Sequence, residues 1–467
     1  MSRYFTYRSR GDLEADIRER GVAVELASGA DALLSPITIG GRTAGNRLAV
    51  QPMEGCDGEP DGLPGELTFR RWERFGTGGA KLIWGEATAV VPECRANPRQ
   101  LLIDERTAPA LRELLNQTRH AHRTRFGHDD DLIVGLQLTH SGRFSYPDPL
   151  IPQHAPPLDA VKHIASGYPV ITDAYLEALE EKYVKAAVLA AVAGFDFVDL
   201  KQCHGYLLNE LLGSRGRSGQ YGGDFDGRTR FARNVVRKIR AKLGSHLLVA
   251  TRLNVFDGAP FAKDADGVGR PGVYASYRWG FGTDADNPAE PDLAEPLRLI
   301  AHLRDVGVSL VNVTMGSPYW NPHIGRPFER PPVDGYWPPE HPLVGVDRHF
   351  RLTAAVQQAF PDLAVVGSGY SWLRHHAAAA GEANVRAGRV SIVGLGRGAI
   401  AYPDFAADLL ERGEMMDRKA CIGVSYCTAL MRAKNNDLGQ FPVGCVPRDP
   451  LFAEHFKLTQ SRPASVR

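Results

Sequence analysis

The chain has 467 residues, 43% of them hydrophobic, with 55 lysines and arginines against 54 aspartates and glutamates. That balance argues against a polyanion or membrane-surface binder, and the hydrophobic share argues against disorder. The start has no apolar leader and no later run is long enough to span a bilayer, while six scattered cysteines do not read as a disulfide framework. A cytoplasmic enzyme acting on a small molecule is expected, with no nucleic-acid or membrane partner.

Short apolar runs alternate with longer amphipathic stretches along the chain. A strand is expected at 48–52 and a helix at 68–75, then strand and helix at 81–88 and 109–123, and again at 132–138 and 173–193. The alternation continues with 195–200 and 228–243, 247–252 and 293–305, 309–314 and 349–360. It ends with 363–368 and 372–387, then 390–395 and 405–412. Strands rich in Val, Ile and Leu without alternation suit a sheet buried on both faces. Eight strand–helix units in sequence favour a (β/α)8 TIM barrel over a doubly wound open sheet. Three regions follow: an N-terminal extension over 1–33, the barrel over 34–413, and a cysteine-containing extension over 414–467 that reads as an appendage.

Irregular segments fall where a barrel places its functional loops. Residues 144–172 are rich in Pro and His, 256–291 in Gly, Asp and Ala, and 316–342 in Pro. Loops of this length cover sites or are disordered insertions.

The strand ends carry the chemistry. In Asp199-Leu200-Lys201-Gln202-Cys203-His204-Gly205-Tyr206, three side chains able to donate or relay protons follow one strand: Lys201, His204 and Tyr206. A barrel strand ending in such groups usually opens onto a catalytic face. Arg252 ends the fifth strand and can set a fixed positive charge in the mouth, or pair with a core carboxylate. Gln137 and His140 close the third strand, and an amide there can donate and accept on a heteroaromatic edge. The last two strands end in Gly367-Ser368-Gly369 and Gly394-Leu395-Gly396-Arg397. Glycines let a backbone approach an anion and Arg397 adds a charged fork, so a phosphate site is expected there, although tight turns also use such glycines.

These motifs, in order, resemble the old yellow enzyme family of FMN-dependent oxidoreductases over roughly residues 34–412. The matching pieces are Ser35-Pro36-Ile37-Thr38-Ile39, Asn46-Arg47-Leu48, Gln51-Pro52-Met53, Gln137 through Arg143, and His204-Gly205-Tyr206. They continue with Tyr221-Gly222-Gly223, Arg228-Thr229-Arg230-Phe231, and Gly396-Arg397 leading to Tyr402-Pro403-Asp404-Phe405. The resemblance implies one noncovalent FMN, with NADH or NADPH as reductant, and a homo-oligomer. It places Pro52, Met53 and Ala87 along the isoalloxazine, Gln137 on its pyrimidine edge and Arg252 facing N1. Ser368, Gly369, Gly396 and Arg397 would hold the phosphate. Tyr206 matches the family's usual proton donor and His204 one of its substrate-anchoring residues.

Departures from the family narrow the function. Lys201 stands where a second His or a Tyr is common, and an ammonium favours a carboxylate, phenolate or enolate. Glu54 stands where a small residue, Cys or Thr is frequent, and a carboxylate beside reduced flavin needs pairing or protonation. A coupled Glu54–Lys201 pair facing the substrate is expected; Glu54 turned outward and Lys201 in a structural ion pair are the alternatives. The expected reaction is reduction of an activated C=C bond in an anionic, phenolic or carbonyl substrate, with the proton from Tyr206. Oxidation of an amine with Glu54 as base, a flavin-free lyase with a Lys201 Schiff base, and a nonenzymatic flavin binder are the rivals. The tail's Cys421, Cys427 and Cys445 resemble a cysteine segment that holds an iron–sulfur cluster in the dienoyl-CoA reductase and trimethylamine dehydrogenase branch. Val424 replaces one ligand, so a cluster-free tail is expected, without any metal.

Overall fold

In the computed structural model, which describes residues 3–461 apart from 435, 437 and 438, the eight apolar runs pair side by side and close on themselves. The outer ends of the two extensions, 1–2 and 462–467, lie outside the described residues. The barrel strands are β1 Leu48–Val50, β2 Leu82–Ala89, β3 Ile133–Thr139 and β4 Phe197–Gln202. They continue with β5 Leu248–Asn254, β6 Val308–Thr314, β7 Ala364–Gly367 and β8 Ile392–Leu395. Each is parallel to the next, and β8 returns to β1 through Val393–Leu48 and Leu395–Val50.

Alternate side chains of each strand point to the axis, and these are the residues that fill it. Leu82, Trp84, Ile133, Phe197, Leu248, Leu310, Val366 and Ile392 form that inner core, capped from below by Ile39 and Ala44 of a small hairpin. Gly135 is required by this packing: a Cβ there would lie 2.2 Å from the Phe197 ring. The opposite faces, with Val134, Leu136, Val198 and Leu200 among them, pack outward against the helices. That is why the strands read as unbroken apolar runs.

The helices are α1 Glu66–Gly76, α2 Ala108–Phe126, α3 Asp173–Ala193, α4 Phe225–Leu243, α5 Ala294–Asp305, α6 Pro342–Ala359, α7 Ala377–Arg386 and α8 Phe405–Arg412. Two differ from the sequence expectation. Helix α6 begins seven residues earlier, at Pro342, because proline suits the first helical position and the His341 side chain accepts from Leu343 N at 3.3 Å. The stretch expected at 372–387 is divided: Tyr370–His376 is a 3-10 segment kinked within at Arg374, whose φ is +54°, and α7 starts only at Ala377.

The loops over the mouth are tied down by buried charge. Arg143 is fully buried and forks onto Glu210 at 2.8 and 2.9 Å while also bonding Asp159, which pins residues 144–172 to the barrel. Asp257 does the same for 256–291, accepting from Asn254 at 2.7 Å and Phe281 N at 2.7 Å. The C-terminal segment is not set apart as an appendage. Val443 N donates to Gly55 O at 2.7 Å, Asp449 pairs with Arg70 and Arg74, and helix Tyr426–Arg432 lies at the mouth. The reason lies in its apolar side chains, Leu430, Phe441 and Phe452, which must be buried and find cover against one another. No helix among the described residues is long and apolar enough to cross a membrane.

Candidate active site

At the C-terminal ends of the strands lies a cavity of about 470 Å³. Phe197, Asp199 and Lys201 share one face of β4, so the strand delivers Lys201 to the axis just above the core. The chain then turns through two left-handed residues, His204 (φ +65°) and Gly205 (φ +74°), which brings His204 and Tyr206 to the same cavity wall. Glycine is needed at 205 for two reasons, its φ and the 2.0 Å approach a Cβ would make to Trp320. Gly205→Ala is therefore expected to destabilise the protein by about 1–3 kcal/mol and displace Tyr206; thermal unfolding with urea titration measures it.

Lys201 forms no ion pair among the described residues; its Nζ lies 3.7 Å from the centroid of the Tyr206 ring. Burial lowers its pKa, with the nearby Cys203 and Glu54 acting the other way. His204 is held neutral: burial first, then the charges of Arg252 and Lys201, push its pKa well down. Its Nε2 stands 3.4 Å from Thr314 Oγ1. Tyr206 OH meets Tyr319 OH at 3.0 Å, and burial raises the Tyr206 phenol well above its usual value.

Glu54 lines the cavity rather than facing outward, and its Oε1 is hydrogen-bonded by Asn97. Burial raises its pKa, the Lys201 charge opposes that, and Glu86 adds to it. Glu54 and Lys201 thus act on one another electrostatically across the cavity without an ion pair. Glu86 itself is engaged below, by Gly55 N at 2.9 Å and Arg71 at 2.7 Å.

A second, smaller cavity of about 80 Å³ adjoins the first, sharing Met53, Arg252, Gly325, Arg326 and Arg397. Ser368, Gly369, Gly396 and Arg397 border it. Gly369 has φ +95°, and a Cβ there would come 2.7 Å from that of His349. The guanidinium groups of Arg252, Arg326 and Arg397 converge on this space, and among the described residues no carboxylate bonds any of the three. The Nε atoms of Arg252 and Arg397 are buried without a partner. Buried unpaired guanidinium N–H groups around a glycine-lined recess are the donor set an anion requires, which fits the phosphate and the N1 edge of FMN.

Of the residues expected from the sequence, Pro52, Met53, Glu54, Lys201, His204, Tyr206, Arg252 and Arg397 border the larger cavity, and Ser368, Gly369 and Gly396 the smaller. Ala87 and Gln137 border neither. The Ala87 carbonyl accepts from Gln100 Nε2 at 3.3 Å. Gln137 donates to Asp199 at 2.5 Å, and the same carboxylate takes Trp84 Nε1 at 2.7 Å and Arg252 N at 2.6 Å. Gln137 thus helps fix the buried acid on which the backbone of Arg252 rests.

Several wall residues carried no signal in the sequence. Arg326 follows the short helix Pro322–Gly325, and Tyr319 comes from the same loop. Thr428, Met431 and Arg432 come from the C-terminal helix. Only the Pro-rich, aromatic composition of 316–342 hinted at the first two. Cys421, Cys427 and Cys445 are free thiols around one crevice that also touches Arg397, and burial raises the pKa of Cys421 and Cys445. Among the described residues, three possible metal-ligand atoms lie within 4.8 Å of one another only at His128, Asp130 and Asp131, far from these thiols in sequence.

Residues 32–270, just over half of the chain, match the model of the NADH:flavin oxidoreductase / NADH oxidase family. Among solved structures, the chain is similar to a 2-naphthoyl-CoA reductase in complex with 2-naphthoyl-CoA, with TM-score 0.64 and 17% identity over 91% of this chain and 58% of that one. Histamine dehydrogenase from Rhizobium sp. 4-9 gives 0.62 and 20% over 91% and 53%. An old yellow enzyme homologue from Zymomonas mobilis gives 0.57 and 19% over 83% and 94%. The chain spans only a little over half the length of the first two.

Proposed function

The chain belongs to the NADH:flavin oxidoreductase / NADH oxidase family of FMN-dependent oxidoreductases, and on that premise we propose that it reduces a C=C bond conjugated to an anionic or phenolic group. Bound FMN would supply the hydride chemistry between NADH or NADPH and the alkene. Pro52 and Met53 would flank its ring, Arg252 would face its electron-rich edge, and Ser368, Gly369, Gly396, Arg326 and Arg397 would hold its phosphate.

One observation carries the substrate class: Lys201 reaches the cavity and forms no ion pair among the described residues. A buried ammonium without a counter-ion is costly, and an anionic substrate group supplies the missing charge. Neutral His204 adds a hydrogen bond to the same oxygen as negative charge develops there. The Tyr206 phenol, protonated throughout the working pH range, supplies the proton to the alkene carbon. Glu54, kept toward its acid form by burial, leaves the cavity net positive. The Lys201 charge, which the flavin and its phosphate leave free, opposes entry of a protonated amine, which weighs against amine oxidation.

Lys201→Met is expected to weaken an acidic alkene by roughly 10–100-fold in KM, the worth of one charge-assisted hydrogen bond, with a neutral enone little affected. The pH dependence gives a second check. Lys201 binds the anion only while protonated, so kcat/KM falls as pH rises through its lowered pKa. That alkaline limb is expected below the ordinary lysine range and absent from Lys201→Met. Equal loss for charged and neutral alkenes would remove the anion-binding role. Anaerobic addition of NADPH and then NADH, followed by absorbance, tests the reductive half. A flavin that neither cofactor bleaches would favour a dehydrogenase reduced by its own substrate.

A further inference from the structure

We propose that Tyr319 is a proton-relay residue: its phenol restores the proton that Tyr206 gives to the substrate. The inference rests on Tyr206 acting as donor and concerns a residue from a different element, the loop after β6. The two phenol oxygens are 3.0 Å apart, and both side chains border the larger cavity. Tyr319 is held in place on its ring faces rather than by its hydroxyl. It stacks on Phe144 with centroids 3.6 Å apart and 13° between planes, and lies at 24° to the Tyr206 ring. Its hydroxyl is thereby free to turn between donating to Tyr206 and accepting from it.

The need for a relay follows from burial. Tyr206 is 3% exposed, so after giving up its proton it would be a phenolate in a low-dielectric site with little water. Two features meet that charge: the Lys201 ammonium over the ring face and the Tyr319 O–H at the oxygen. The proton moves in two transfers. The Tyr206 O–H bond breaks as the substrate C–H bond forms, with the hydride-derived electron pair already on the substrate. In the same step the Tyr319 O–H bond breaks as that of Tyr206 re-forms, and a solvent proton then restores Tyr319. Tyr319 is well placed for the last transfer. Arg432 Nη2 bonds the carbonyl of its neighbour Pro318 at 2.8 Å, and the Arg432 charge favours the Tyr319 phenolate. The C-terminal segment, which carries Arg432, is in this way part of the proton path.

The experiment has two arms on the FMN-loaded protein. In the first, Tyr206 is replaced by 3,5-difluorotyrosine, whose ionisation is read by phenolate absorbance, with and without Tyr319→Phe. Loss of the Tyr319 donor is expected to raise the pH of ionisation by about one unit. No change would overturn the relay, and this arm needs no substrate. The second arm follows single-turnover reduction of cinnamaldehyde by the reduced protein in H2O/D2O mixtures. Tyr319→Phe is expected to slow product formation about tenfold, leave flavin reduction by NAD(P)H unchanged, and convert a bowed proton inventory into a straight line. An unchanged inventory would overturn the relay, and so would equal slowing of both half-reactions, which marks a packing role. If the wild-type protein reduces no alkene while the first arm shows its shift, the phenol pair stands and the alkene-reductase reading falls.

Discussion

Tyr206→Phe is expected to lower the rate of alkene reduction by roughly 10²–10⁴, the usual worth of a positioned general acid. The substitution removes one oxygen and little else. The ring that carries Lys201 at 3.7 Å and packs near Phe144 at 6.1 Å is retained, so the pocket keeps its shape. The affected step is proton delivery alone. Stopped-flow reduction of the flavin by NADPH or NADH is therefore expected to proceed at the wild-type rate while product formation stalls. Losing both steps together would mean that the variant has disturbed flavin binding. Losing neither would return Tyr206 to a packing role under the loops.

Arg397→Ala is expected to weaken FMN binding by roughly 10²–10⁴, since a guanidinium fork gives a phosphate two charge-assisted hydrogen bonds of about 1.5–3 kcal/mol each. Its buried Nε has no protein partner, and its one hydrogen bond, to Thr428 Oγ1, is long at 3.4 Å. The protein should come off a gel-filtration column colourless, with FMN fluorescence in the small-molecule fractions. The flavin-free fold is expected to keep its melting temperature or gain slightly. Burial and then the Arg397 charge disfavour the charged form of Arg326, and among the described residues no carboxylate loses a partner when Arg397 goes. A variant that keeps its flavin would move the phosphate away from Arg397; one that unfolds would make the arginine structural.

How much of the site could be read from the chain depends on how local its determinants are. Lys201, His204 and Tyr206 lie within six positions on one strand end and the turn after it, so their shared destination at the mouth follows from where the strand ends. The glycine pairs at 367–369 and 394–396 are also local, being demanded by backbone geometry and close approach. Tyr319, Arg326 and Arg432 were illegible for the opposite reason. Each sits in a loop or tail where no period applies, and each reaches the cavity only because distant segments fold over it. Gln137 lies at its strand end as expected, and the structure adds a bond from its amide to Asp199, a partner on the next strand whose side chain no local pattern ties to it. The first turn of the helix over 342–359 is not legible in the sequence because it lies in a proline-rich stretch, where proline marks a helix start as readily as a loop.

By itself, the sequence pointed to the barrel, because unbroken apolar runs spaced by amphipathic helices suit a parallel sheet buried on both faces, and eight such units in a row suit a closed one better than an open one. It also determined which strand ends bear chemistry. The tertiary structure alone decided that Lys201 forms no ion pair among the described residues, that Glu54 faces the cavity instead of solvent, and that the C-terminal segment supplies one wall of the site. Charge pairing and burial are properties of what lies within a few ångströms in space, and for these residues the relevant neighbours are tens to hundreds of positions away along the chain.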